Sequence, residues 1–148
     1  MECRCETLAG PGMALAAACI GHLWMFQDLA PEDLAALSAS ARRARHERGT
    51  ALFRQGDPAE SLFLIKGGRV KLTKVTADGA EMILDLRQAG DVLGENLMAE
   101  ESAYPVSAAC LEDTLTCGFT RATLQDLVLR HPRIGLQLIR NMSARIVW

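Results

Sequence analysis

Two groups of residues in this 148-residue chain have the types and spacing to do chemistry. The first is the stretch GDVLGENLMAEESAYPVSAA, from Gly90 to Ala109. A Gly-Asp turn leads to Gly94-Glu95, and a short polar span returns to a β-like run. That is the outline of a loop built to hold a phosphate, with glycine allowing close backbone approach. A buried phosphate needs a cation beside it, because an unpaired charge is costly to desolvate. Yet Gln88 to Thr120 contains no lysine or arginine and holds six acids: Asp91, Glu95, Glu100, Glu101, Glu112 and Asp113. The second group is five cysteines, Cys3, Cys5, Cys19, Cys110 and Cys117, three of them in the first 19 residues. An odd count in a domain of this size does not read as a secreted disulfide framework.

Composition sets the frame for both groups. The length suits one domain, or one domain plus an appendage. Apolar residues make up 49% and charged residues 23%, ordinary for a globular protein. A net charge of −2 gives no global pull toward nucleic acid or membrane. No run reaches the roughly 18 apolar residues of a membrane span. Leu8 to Ile20 is short, with acidic flanks, and makes a poor signal peptide. These features imply a cytoplasmic protein. No P-loop, Gly-x-Ser-x-Gly or zinc-type Cys/His spacing is present, so an enzyme is not expected.

The elements that must position these residues follow from periodicity and turn signals. Residues 1–21 form a Cys-containing N-terminal segment. His22 to Arg45 reads as helical, with Pro31 at a first-turn position followed by Glu32-Asp33. The basic cluster ARRARHERG then reads as a solvated helix end or a strand edge. Thr50 to Thr120 is β territory, with turns at Gly56-Asp57-Pro58, Gly67-Gly68, Asp78-Gly79 and Gly90-Asp91 about ten residues apart. Ala109 to Phe119 reads as a last strand. Thr120 caps a helix to about Arg130, and His131-Pro132 breaks it. A second helix carries Ile134, Leu138, Ile139, Met142 and Ile146 on its apolar face and still runs at Trp148. The expectation is a piece of a longer protein, with residues 22–130 as a sensing domain and 131–148 as the start of a dimerisation helix.

In this order, LFRQGDPAESLFLIKGGRVKL (Leu52–Leu72), DGAEMILDLRQAGDVLGE (Asp78–Glu95), YPVSAACLEDT (Tyr104–Thr114) and HPRIGLQLIRNMSARI (His131–Ile146) carry a resemblance. Together they resemble the sensor domain of the cyclic-AMP-receptor/FNR family of bacterial transcription regulators, from about Leu23 onward. The resemblance implies a mainly β fold with flanking helices. Its centre would be an antiparallel β-roll, jelly-roll-like or cupin-like, with an N-terminal helix and C-terminal helices. It also implies a homodimer, a small-molecule or redox effector, and DNA binding only through a C-terminal domain absent from this chain.

In nucleotide-binding relatives, as the resemblance implies, the cassette glycine approaches the phosphate, a glutamate holds the ribose, and an arginine pairs with the phosphate. Gly94 and Glu95 match. Asn96, Leu97 and Met98 depart from the usual residues, and the arginine position falls on Tyr104 or Val106. Gly94, Glu95, Asn96, Leu97, Tyr104, Pro105, Val106 and Ser107 are therefore the candidate ligand-binding residues, in a loop that lacks its phosphate anchor. Lys66 or Arg69 would have to reach in from a distance. The departure resembles the FNR branch, in which N-terminal cysteines and one late-strand cysteine hold an iron–sulfur cluster. That resemblance implies Cys3, Cys5, Cys19 and Cys117 as metal ligands, four thiolates suiting a [4Fe–4S] cluster. The spacing differs from the branch, and a thiol–disulfide switch such as Cys5 with Cys117 is the competing use. Cys110 reads as a packed apolar strand residue, and Trp24, Met25 and Phe26 as core or dimer contacts. His131 reads as a turn residue, and His22 as a minor ligand candidate. The remaining alternatives are a neutral aromatic or apolar ligand within the β-structure and a cyclic-nucleotide-type regulatory module of a protein that is not a transcription factor.

Overall fold

The computed structural model describes residues 24–99 and 102–146. A 3-10 turn, Trp24–Phe26, precedes helix α1, Pro31–Ser40. Eight strands follow: β1 Arg42–His46, β2 Ala51–Phe53, β3 Ser61–Gly67, β4 Arg69–Val75, β5 Glu81–Gln88, β6 Val92–Leu93, β7 Ser107–Cys110 and β8 Thr114–Thr120. A second 3-10 turn, Glu95–Met98, lies between β6 and β7, and the described chain closes with helices α2, Arg121–Arg130, and α3, Pro132–Ile146.

The strands form two four-stranded antiparallel sheets, ordered β1-β8-β3-β6 and β2-β7-β4-β5. This corrects the expected jelly-roll or cupin-like β-roll. Among the described residues no strand pairing joins one sheet to the other, so neither is closed or curled into a roll. Turn spacing specifies strand number and length. Edge closure depends on pairings between residues far apart in sequence, which spacing does not encode. Two further corrections concern boundaries. Arg42–His46 leaves the expected helix and pairs along β8 as an edge strand. The expected last strand is two strands, broken by a turn in which the Thr114 hydroxyl donates to Glu112 O at 2.9 Å.

Alternation along β3 builds two cores. Leu62 and Leu64 point toward the helices and join Phe26, Leu37, Cys117, Phe119, Leu124 and Leu127. Ile65 and Phe63 point toward the second sheet, where Phe53, Val70, Leu72, Tyr104 and Ala108 pack. The Thr120 side chain caps α2 by accepting from Thr123 N. Helix α3 splits the apolar face read from sequence. Ile134 and Leu138 turn inward, whereas Ile139 (63% exposed) and Ile146 (74%) face outward. Buried Asn141 fastens α3 to the entry segment, its amide donating to Met25 O at 2.8 Å and Gln27 O at 3.0 Å. At the start of α3, the buried Asp33 carboxylate lies 3.5 Å from both His131 Nδ1 and Arg133 Nε. No helix among the described residues is long and apolar enough to cross a membrane.

The link between β3 and β4 is a single residue, Gly68, at φ +93°. A Cβ there would sit 2.5 Å from Thr114 Oγ1 and 2.7 Å from Asp113 O. Both the left-handed backbone and the close carbonyl demand glycine. Gly68→Ala is expected to lose about 2–3 kcal/mol of stability, measured by urea denaturation.

Candidate functional site

The Gly90–Ala109 loop folds against the start of β3. Gly94 takes φ +84°, and a Cβ on it would lie 2.5 Å from Ser61 O. Glycine is required here for contact with β3, the same property that would admit a phosphate. Tyr104 returns to the same residue from the other end of the loop. Its hydroxyl donates to Ser61 O at 2.8 Å and accepts from Ser61 N at 3.0 Å. Its ring stacks on Phe53, with centroids 3.9 Å apart and planes 12° apart. Burial pushes the Tyr104 phenol above its usual pKa, so it stays a neutral donor at physiological pH.

The space left between the two ends of the loop is a cavity of about 50 Å³, bordered by Gly94, Glu95, Asn96, Tyr104, Pro105 and Val106, with Phe53, Leu72, Arg87 and Leu93 behind them. Ligand pockets for drug-sized molecules measure roughly 300–1,000 Å³. Six of the eight expected ligand-binding residues are thus brought together, around a space far smaller than a nucleotide. Leu97 points away, into the helix-facing core. Ser107 lies on β7, its hydroxyl accepting from Gln55 N at 2.9 Å. Lys66 is buried elsewhere on β3, and Arg69 pairs with Glu112 at 3.4 Å; neither borders the cavity.

Two arginines serve this loop, and both sit just outside the cation-free span. Arg87 on β5 reaches the cavity. Its guanidinium lies 2.9 Å from Asp85 Oδ2 and 3.7 Å from Glu95 Oε1, and donates to Val92 O at 3.3 Å. The Glu95 carboxylate is therefore already partnered. Arg121, the first residue of α2, holds the loop from behind. It donates to Leu97 O, to Ala59 O at 2.8 Å, to Ala99 O at 3.2 Å and to Ser102 Oγ at 3.2 Å. The sequence window stopped one residue short of each arginine. The signal for Arg121 was its place beside the Thr120 cap, since a first-turn side chain can fold back over the preceding loop.

The cysteines divide. Cys3, Cys5 and Cys19 lie outside the described residues. Cys117 is fully buried on β8 in the helix-facing core, and Trp24 packs against that same cluster. Cys110 belongs to the other core, between the sheets, where burial pushes its thiol pKa up. Among the described residues, no three His, Cys, Asp or Glu side chains converge in a way that could hold a metal ion. His22 also lies outside the described residues. His131 does occupy the turn between α2 and α3.

Comparison with known proteins completes the picture. The pattern of the cyclic nucleotide-binding domain matches residues 43–131. The chain belongs to the cyclic nucleotide-binding domain family. It is a sensor-type domain related to the cyclic-AMP-receptor/FNR transcription regulators. The transcriptional activator protein anr of Pseudomonas aeruginosa is 36% identical over 119 residues, covering 80% of this chain and 48% of that protein. The anaerobic regulatory protein of Bacillus subtilis is 32% identical over 121 residues, covering 80% and 51%. This chain thus spans about half the length of these curated relatives. The N-terminal domain of a transcriptional regulator from Streptomyces coelicolor superposes with a TM-score of 0.75 at 26% identity, covering 84% of this chain and 87% of that one. These relatives are named as regulators, in agreement with a domain that is not an enzyme.

Tyr104→Phe keeps the stack on Phe53 but strips both Ser61 backbone groups of their partner. It is expected to cost about 1–2 kcal/mol in a denaturant titration. Arg121→Ala leaves two loop carbonyls, Leu97 and Ala99, and that of Ala59 without this donor, and a loss of about 2 kcal/mol is expected, with faster proteolysis of the loop that includes Ala99.

Proposed function

We propose that this chain is the sensory domain of a one-component transcription regulator of the FNR type, responding to redox state or a gas and not to cyclic nucleotide. One observation carries the second half. The arginine position falls on Tyr104 or Val106, neither of them basic; the Tyr104 hydroxyl is committed to Ser61, and the cavity beside it measures about 50 Å³. The names of the relatives support the first half, since they include an anaerobic regulatory protein.

The sensing chemistry is assigned to the cysteines. Thiolates are the ordinary ligands of iron–sulfur clusters, and Cys3, Cys5, Cys19 and Cys117 would hold one. Cys117 lies in the core cluster against which Trp24, the first described residue, packs. A bound cluster would supply oxygen-labile redox chemistry; this chain's part is to hold it and to pass its state to the packing around α3. Homodimerisation is part of the reading. On α3, Leu136, Ile139, Met142 and Ile146 form an exposed apolar stripe, and on β5 Met82, Ile83, Leu84 and Leu86 are exposed as well. Contiguous apolar surface of this kind marks an interaction site. A change in α3 packing would then reorient DNA-binding domains beyond this chain. Such coupling requires different contacts in two states.

Anaerobic purification followed by visible absorption, iron and sulfide analysis tests the cluster. An air-labile chromophore with iron and sulfide, lost in Cys117→Ser, is the expected result. Colourless, iron-free protein that also resists reconstitution would remove the cluster. A disulfide mapped to Cys117 under mild oxidation would replace it with a thiol switch. Cyclic AMP at millimolar concentration is expected to leave the melting temperature unchanged, whereas a ligand selective for the folded state raises it. Ile139→Glu is expected to shift the protein toward monomer in sedimentation velocity.

A further inference from the structure

A larger cavity, about 220 Å³, lies away from the cassette, on the face of the first sheet that carries Phe63 and Thr116. It is built entirely from β1, β3 and β8. Its origin is a missing side chain. Gly118 on β8 stands between Arg42 on β1 and Phe63 on β3 in register, so the middle of that row is bare backbone. In the next row, Ala44 is also small. A glycine inside a strand often marks a place where a ligand or another backbone comes close.

The chemistry of the lining is specific. Among the described residues, no aspartate or glutamate borders the cavity. Arg42 does, and its guanidinium makes no hydrogen bond or ion pair among the described residues. Its neighbours differ: Arg43 donates to Ser38 Oγ at 3.3 Å, and Arg45 pairs with Asp113 at 3.0 Å. His46 is held by Thr116, Nε2 to Oγ1 at 2.9 Å, and burial keeps it below the usual imidazole pKa, hence neutral. Arg42 is therefore the cation among the described lining residues, at the rim of a floor formed by the Phe63 ring and the bare backbone of Gly118.

We propose that this cavity binds a small aromatic carboxylate, its carboxylate on the Arg42 guanidinium and its ring over Gly118 against Phe63. A volume of about 220 Å³ falls below the roughly 300–1,000 Å³ of drug-sized sites, so the ligand is smaller than a nucleotide. Arginine matches a carboxylate bidentately, and an aromatic ring prefers an aromatic wall. The site also has a route to the cassette. Phe63 stacks on Phe53 at 6.0 Å, and Phe53 stacks on Tyr104 at 3.9 Å. Ser61 borders the cavity and holds the Tyr104 hydroxyl.

The proposal does not depend on cysteine chemistry and is tested on the reduced, metal-free full chain. Benzoate is the probe and benzamide its neutral control, measured by calorimetry. Benzoate is expected to bind with a Kd of roughly 1 mM or tighter, and benzamide at least about tenfold more weakly. Arg42→Gln is expected to weaken benzoate at least about tenfold, with Arg42→Lys recovering part of the loss. Arg42 is exposed, so these variants should fold as the parent does. Ala44→Leu, which fills the cavity, is expected to abolish binding, with circular dichroism reporting its fold. Lys74→Gln, which removes an exposed cation on β4, should leave the affinity unchanged. Absent binding at about 10 mM benzoate, or equal affinity in wild type and Arg42→Gln, would overturn the proposal.

Discussion

The loop from Gly90 to Ala109 is organised around the backbone of Ser61. Gly94 presses against the Ser61 carbonyl, at a distance no side chain would allow. The Tyr104 hydroxyl closes on both the N–H and the C=O of the same residue. Next door, Arg121 N donates to Glu60 O at 2.8 Å, which seats the first residue of α2 beside the start of β3. The two ends of the loop and the N-terminus of α2 thus meet within two residues. Buried backbone groups must find partners, and here one residue's pair of groups is satisfied by a single phenol.

That arrangement changes what the loop is for. A cassette that cradles phosphate presents a glycine backbone and a free cation to an anion. Here the glycine faces β3, the glutamate already has Arg87 nearby, and Arg121 is spent on carbonyl oxygens outside the cavity. Among the described residues, Glu95 is the acid that borders the cavity, and its carboxylate would repel an anion that entered. The scaffold of the family is retained, with no lysine or arginine between Gln88 and Thr120. In the proposed reading sensing comes from other groups, and the buried Cys117 and the cavity beside Gly118 are chemically distinctive places among the described residues.

The outer surfaces are consistent with a domain that passes a signal onward. Helix α3 is anchored on one side by Ile134 and Asn141, which fix it to the body of the domain. Its other side, with Ile139 and Ile146, has no cover among the described residues. A helix held on one face and apolar on the other can move against a partner without unpacking its own core.

The sequence alone determined the local features. The turns at Asp78-Gly79 and Gly67-Gly68, the Thr120 cap and the break at His131-Pro132 are short-range, written in residues that sit side by side. The absence of a phosphate anchor between Gln88 and Thr120 was likewise legible, because it is a statement about residue types. Tertiary structure decided the rest. Whether the sheets close, which side of α3 is covered, and where Arg87 and Arg121 point all depend on residues distant in the chain. The cavity beside Gly118 depends on Arg42 and Phe63 lining up across three strands, a register set by long-range pairing. Periodicity reports which face a residue occupies. It does not report what stands opposite that face, and opposition is what turns a glycine in a strand into a cavity.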